Sequence, residues 1–350
     1  MTAAVSLPRT SGPGGGPRGV PRAIALSPIL SARYRRRDLE AIASAAPGSR
    51  LVSVSLEGLA DAELSDVEVL LRGPLPAGVF DRLIARCPAL KWVHSATAGV
   101  ERVLTPAARE RGLAITNARG VFSEPIAEYV VMMILAVSRR LPQLLELQRE
   151  RTWQPLEATE LGDVTVGVVG LGSIGRRVAE LAAAFGARVV AVRRGGSELE
   201  REAEGAPGTP PGELLRPAQL PELLGRSDFI VLALPLTRET EELFDGPMLG
   251  RAKRGSWLIN VARGRLVDER ALIRALREGP LGGAILDTFV EEPLPRDSPL
   301  YGLPNAIVTP HTAWSSGRAL DRSIALFCDN LRRFAAGERL LNLVDPQLGY

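Results

Sequence analysis

The stretch VTVGVVGLGSIGRRVAELAAAFG, residues 164–186, decides the fold. It begins as an apolar strand, continues as a helix, and places Gly170, Gly172 and Gly175 between the two as G-x-G-x-x-G. Glycines at those places let a strand turn sharply into a helix and let a ligand approach the backbone. The helix N-terminus, with its unsatisfied N–H groups and positive dipole end, then faces a pyrophosphate. The motif predicts a dinucleotide site at Gly170, Gly172, Ser173, Ile174 and Gly175, with a bare strand-to-helix turn as the alternative. The next apolar strand, Arg188 to Val192, ends at Arg193 and Arg194, where an NAD site would carry an acidic side chain for the ribose 2′-hydroxyl. Guanidinium forks suit a 2′-phosphate, so NADP(H) is favoured over NAD(H). An arginine-rich chain that ends a strand in arginine by chance is the other reading.

Working outward, the runs SDFIVLALP, GSWLINVA, GGAILDTF and NAIVTP continue the series, nearly unbroken in apolar residues, as a parallel sheet covered on both faces requires. Upstream, from Arg22, short apolar runs such as AIALS, LVSVSL and KWVHSA alternate with helical stretches and predict a smaller α/β unit. Ser123 to Arg140 reads as a mostly apolar helix leading into the larger unit. A last helix carries Leu320, Ile324, Phe327, Leu331 and Phe334 on one stripe, which could return to the first unit. The expected organisation is a disordered tail over residues 1–22, a substrate domain from 23–122 and 315–350, and a dinucleotide-binding domain from 123–314. Gly195 to Pro211, rich in Gly and Pro, reads as a surface loop.

The 350 residues, 45% hydrophobic and 24% charged, are ample for two globular cores. A net charge of +3, with no long basic block, argues against a nucleic-acid partner. The longest apolar stretch, Tyr129 to Val137, is too short to span a membrane. Cys87 and Cys328 form no CxxC pair and read as buried free thiols in a reducing compartment. The first residues, with SGPGGGPRG, lack the apolar core of a secretory signal, so a cytoplasmic location is expected. No metal site is expected.

Three polar residues come at or just after strand ends, where open parallel sheets bind ligands: Arg263 in INVARGRLVDE, Asp287 in ILDTF and His311 in VTPHTAW. Arg263 can hold a carboxylate in a planar fork, with a structural ion pair as the alternative. His311 is one of two histidines and is the natural group to give a carbonyl oxygen its proton. Glu292 could hold the other imidazole nitrogen and favour the protonated ring, and Glu291 competes for that role. His94, on an alternating strand, reads as structural. The turn Ser95 to Gly99 is either an anion-binding nest of backbone N–H groups or an ordinary turn.

The ordered motifs SATAGVE, NARG with IAEYV, ELGDVTVGVVGLGSIG, LALPLT, INVARGRLVDE, ILDTFVEEPLP, TPHTAW and NLVDPQLGY span nearly all of residues 23–350. Together they resemble the D-isomer-specific 2-hydroxyacid dehydrogenase family, nearest its glyoxylate and hydroxypyruvate reductase branch. The resemblance implies an α/β fold in which a Rossmann-type doubly wound parallel sheet is inserted into a smaller flavodoxin-like substrate domain. It implies that hydride passes between nicotinamide C4 and a small 2-keto acid, with Arg263 orienting the substrate, His311 as acid/base and Glu292 as its partner. It also implies backbone N–H groups of Ala98 and Gly99 on the substrate carboxylate, Asp287 on the nicotinamide amide, and Leu234, Pro235 and Val261 against the cofactor. A homodimer is implied as well. Trp314, beside the histidine, departs from the pattern and would shape the substrate pocket. The rival readings are a redox-sensing NAD(H)-binding regulator of the same fold and an enzyme oxidising another small anion such as phosphite.

Overall fold

The computed structural model describes residues 19–29, 34–194 and 212–346. The expected tail therefore lies outside the described residues except for 19–22, and the expected loop Gly195 to Pro211 lies wholly outside them. The chain divides into two compact units, Met1–Arg119 with Gly317–Tyr350, and Gly120–Ser316.

Among the described residues of the first unit, β1 (Ala23–Leu26), β2 (Arg50–Ser53), β3 (Val67–Arg72), β4 (Trp92–Ser95) and β5 (Ala114–Thr116) form a parallel sheet. Its order is β2-β1-β3-β4-β5, the flavodoxin-like arrangement. Side chains alternate across the pleat, so each strand feeds two cores. Ala23, Ala25 and Val93 pack with Phe80, Leu83 and Ile84 of the helix Ala77–Ala85. Ile24, Leu26 and Trp92 pack on the other face with the helix Ala319–Ala336, through Ile324, Phe327, Leu331 and Phe334. The apolar stripe of that last helix thus returns to the first unit. Its two phenylalanine rings lie 5.4 and 5.6 Å from Trp92, centroid to centroid. Each fully buried side chain of this kind contributes about 1.5–3 kcal/mol relative to exposure.

The second unit holds β6 (Thr165–Val169), β7 (Arg188–Val192), β8 (Glu213–Leu215), β9 (Phe229–Leu232), β10 (Trp257–Asn260), β11 (Gly283–Leu286) and β12 (Ala306–Val308). All pairings are parallel, in the order β12-β11-β10-β9-β6-β7-β8. This is the doubly wound order with one further strand, and the chain reverses direction of growth between β6 and β9. Strand β8 is absent from the sequence reading. It is three residues long, ELL, at the sheet edge, with only Leu215 buried, so it has no apolar run to announce it.

Candidate active site

Because every strand of the second sheet runs the same way, the loops that follow them all leave from one edge. That edge receives Gly170 after β6, Arg193 and Arg194 after β7, Leu234 and Pro235 after β9, Val261 and Arg263 after β10, Asp287 and Glu292 after β11, and His311 after β12. The parallel sheet alone brings them to a common rim.

The three glycines at this rim do three different things. Gly170 has φ +96°, and its N–H donates to the Val192 carbonyl at 2.9 Å, drawing the end of β7 to the turn. A Cβ there would sit 2.6 Å from the Ala233 carbonyl oxygen, so the loop after β9 is pressed against it. A Cβ on Gly175 would lie 1.9 Å from the Gly170 oxygen, so the first turn of the helix Ser173–Ala184 packs directly on the glycine loop. Gly172, by contrast, is exposed and has nothing within 4 Å of a built Cβ, and no side chain caps the helix it precedes. An open, uncapped helix N-terminus behind a side-chain-free surface fits a dinucleotide pyrophosphate.

After β10, Asn260 orients the candidate carboxylate binder. Its side-chain amide donates to the Arg263 carbonyl at 2.9 Å and its Oδ1 accepts from the Ala262 N–H at 3.1 Å. The Arg263 guanidinium donates to the Ala262 carbonyl at 2.7 Å. A Cβ on Gly264 would be 2.0 Å from the Phe289 carbonyl carbon, so the Arg263 loop lies flush on the loop after β11.

Asp287 is buried, and its oxygens bind the histidine loop. Oδ1 accepts from the Thr309 hydroxyl at 2.6 Å and the Thr312 N–H at 2.8 Å, and Oδ2 accepts from the Ala313 N–H at 2.9 Å. Thr309 also meets the Tyr129 hydroxyl at 2.7 Å. Three of roughly four acceptor positions are thus in use, which gives Asp287 a positioning role beside the nicotinamide contact that the resemblance implies. His311 itself has φ +49°, a left-handed conformation costing a non-glycine residue about 1–2 kcal/mol. Its N–H donates to the Thr309 carbonyl at 3.0 Å, and its carbonyl accepts from the Trp314 indole N–H at 2.7 Å. Trp314 therefore clamps the histidine backbone, and its ring meets the edge of Phe122 at 6.3 Å.

The His311 ring turns Nδ1 to Glu292 Oε2 at 2.8 Å, while Glu292 Oε1 accepts from the Phe289 N–H at 3.0 Å. Glu292, not Glu291, is the residue that reaches the imidazole. Burial of Glu292 works to raise its pKa. The hydrogen bond from His311, the Phe289 N–H and the positive charge of Arg263 outweigh burial and hold the carboxyl below its usual range. The carboxylate fixes the tautomer with the proton on Nδ1 or stabilises the doubly protonated ring, which leaves Nε2 to exchange a proton with a ligand. The His311 side chain is 42% exposed.

In the first unit, the turn Ser95 to Gly99 has its Thr97, Ala98 and Gly99 carbonyls engaged, the first by the Ala118 N–H at 3.1 Å. Asn117 donates to the Ala98 oxygen and the Thr97 hydroxyl to the Gly99 oxygen, both at 2.8 Å. Among the described residues nothing accepts from the N–H of Ala98 or Gly99. Arg72, which the sequence reading missed, braces the same loop. Its guanidinium donates to the carbonyls of Gly73, Leu75 and Arg102, and its own carbonyl accepts from the Ala96 N–H at 2.8 Å. Burial lowers its pKa to about 10, so it remains charged at neutral pH. Nothing in VEVLLR distinguishes a buried arginine from a strand-end charge in solvent. His94 is fully buried, with Nδ1 on the Thr116 hydroxyl at 2.7 Å, and burial pushes its pKa down to about 3. Among the described residues no cluster of acidic, histidine or cysteine side chains is placed to hold a metal ion, and no helix is long and apolar enough to cross a membrane.

Residues 131–313 match the family described as D-isomer specific 2-hydroxyacid dehydrogenase, NAD binding domain. The chain is 34% identical over 312 residues to a glyoxylate reductase of Korarchaeum cryptofilum, covering 87% of this chain and 88% of that protein. It is 40% identical over 258 residues to a D-3-phosphoglycerate dehydrogenase of Mycobacterium bovis, covering 73% of this chain and 47% of that one. Among solved structures, an NADPH-dependent glyoxylate/hydroxypyruvate reductase of Sinorhizobium meliloti, in complex with NADP and sulfate, superposes with TM-score 0.78 at 29% identity. It covers 94% of this chain and 100% of that chain.

Proposed function

Because the chain belongs to the D-isomer specific 2-hydroxyacid dehydrogenase family and is an NAD(P)-dependent dehydrogenase, we propose that it reduces a small 2-keto acid, such as glyoxylate or hydroxypyruvate, to the corresponding 2-hydroxy acid, of D configuration where that carbon is chiral, with NADPH as the favoured reductant. The observation that carries this reading is the Glu292–His311 hydrogen bond, on the sheet edge that also bears Arg263 and the glycine turn. When bound, the reduced nicotinamide supplies the hydride. Arg263 holds the substrate carboxylate by charge-assisted hydrogen bonds. His311 Nε2 gives its proton to the keto oxygen, and Glu292 stabilises the positive ring that donates it. Ala98 and Gly99 offer backbone N–H groups to a carboxylate. Gly170, Gly172 and Gly175 with Ser173 and Ile174 hold the pyrophosphate, Arg193 and Arg194 the 2′-phosphate, and Leu234, Pro235, Val261 and Asp287 the remainder of the dinucleotide.

The name of the Korarchaeum relative supports glyoxylate, and the Sinorhizobium complex supports NADP. The test is oxidation of NADPH or NADH by the purified protein with glyoxylate, hydroxypyruvate, pyruvate and 3-phosphohydroxypyruvate, with His311→Ala as control. Turnover that the variant loses supports the reductase. Tight cofactor binding with no turnover of any substrate refutes it and favours a regulatory redox sensor, and reduction of NADP+ or NAD+ by phosphite in a parallel assay, with no 2-keto acid turned over, favours the other rival.

A homodimer is the further part of the proposal. The helix Leu141–Arg149 buries none of its residues, Leu141, Leu144 and Leu145 are exposed, and Trp153 is 100% exposed. Water-facing apolar residues in such a group suit a self-complementary two-fold contact. Leu144→Glu with Leu145→Glu is expected to convert a dimer to a monomer in sedimentation. A wild-type monomer would refute it.

A further inference from the structure

The strand after the glycine turn ends in two arginines with no carboxylate beside them in sequence, yet the fold delivers one from elsewhere. Glu239, in the loop after β9, makes an ion pair with Arg194. The loop that carries it is a built turn. The Thr240 hydroxyl donates to the Pro235 carbonyl and accepts from the Thr237 N–H, at 2.7 and 2.8 Å, and the Glu241 N–H donates to the Thr237 carbonyl at 2.9 Å. On its far side the turn is tied to the loop after β10 by the Glu241–Arg265 ion pair and by the Glu242 N–H on the Arg265 carbonyl at 2.8 Å. On its near side, Ala233 and Leu234 abut Gly170, whose N–H holds the end of β7. Glu239 therefore stands where three cofactor-facing loops converge, with its carboxylate on a guanidinium suited to a 2′-phosphate.

We infer that Glu239 is a specificity-determining residue that competes with the cofactor 2′-phosphate for Arg194. The inference rests on the NADP reading given above. A dianionic phosphate must displace a singly charged carboxylate from the same fork and then sit close to it, whereas a ribose hydroxyl faces no such repulsion and can donate to a carboxylate. The Arg194 and Glu239 side chains are 51% and 74% exposed, so the pair is weak enough to be displaced and its effect is a matter of a few-fold.

The test is calorimetric titration of NADP+ and NAD+ into wild type, Glu239→Gln, Arg194→Gln and the double variant. Glu239→Gln is expected to tighten NADP+ by about three- to fivefold and to change NAD+ by less than about twofold. The gain should vanish in the Arg194→Gln background and shrink as salt is raised. An unchanged or weakened NADP+ affinity in Glu239→Gln, or a gain that survives loss of Arg194, overturns the role of Glu239. If wild type prefers NADP+ and Arg194→Gln erodes that preference, the NADP reading stands even so. If wild type shows no preference and Arg194→Gln changes nothing, the NADP reading and this inference fail together.

Discussion

Alanine at Gly172 and at Gly175 should produce opposite failures. At Gly175 the new methyl would meet the Gly170 carbonyl oxygen at 1.9 Å and Val168 Cγ1 at 3.1 Å. Neither partner is the free end of a flexible side chain, so the start of the helix must retreat by more than an ångström. Overpacking of a buried contact costs about 1–3 kcal/mol. For a unit of this size each kcal/mol lowers the melting temperature by about 2–4 °C, so a fall of roughly 2–12 °C is expected. At Gly172 the built Cβ meets nothing within 4 Å, and φ is −74°, which any residue adopts. Gly172→Ala should therefore melt within about 2 °C of wild type, while its methyl stands in the space a pyrophosphate needs and weakens dinucleotide binding at least about tenfold, some 1.4 kcal/mol. Thermal unfolding by circular dichroism without cofactor, and titration of NADPH fluorescence, read the two effects separately. A Gly172→Ala protein that binds NADPH as wild type does would refute the assignment of this loop as the phosphate cradle. A Gly175→Ala protein with unchanged melting would refute the packing argument.

Glu292→Gln keeps the shape of the side chain but cannot stabilise a positive imidazole, so kcat for 2-keto acid reduction should fall about 10²–10³-fold with cofactor affinity nearly unchanged; retention of more than half the activity would sink the pair as the acid–base unit. Buried His94 binds its proton only near pH 3 when folded but near 6.5 when unfolded, so the unfolded state holds more protons across that interval and stability must fall as pH drops from about 6.5 towards 3. The loss is on the order of 4 kcal/mol by linkage, and urea titrations of His94→Gln should show a flatter acid limb; equal slopes in the two proteins would contradict it.

The parts of the fold written in unbroken apolar runs were legible: β6, β7 and β9 to β12 each appear as such a run, and the glycine motif marks where the sheet binds its ligand. What was not legible depends on partners far along the chain. Glu291 and Glu292 are equivalent in sequence, and only the turn after β11, which places the Phe289 N–H and the His311 ring on one carboxylate, separates them. Asp287 looks like a ligand-facing acid until the backbone N–H groups of Thr312 and Ala313 arrive on it. Arg72 gives no signal in sequence because a carbonyl cage has no side-chain signature. Glu239 has no signal of this kind because it lies 45 residues beyond Arg194, in the loop after β9.

The chain has two histidines, one fully buried and one whose side chain is 42% exposed. An imidazole-selective acylating reagent therefore has a single target in the folded protein, and loss of activity at one equivalent incorporated would report on His311 without any mutation. Isotope labelling of histidine alone would give two ring spectra. The one from His94 would record only the integrity of the first unit, and the other would respond directly to whatever ligand enters beside Glu292.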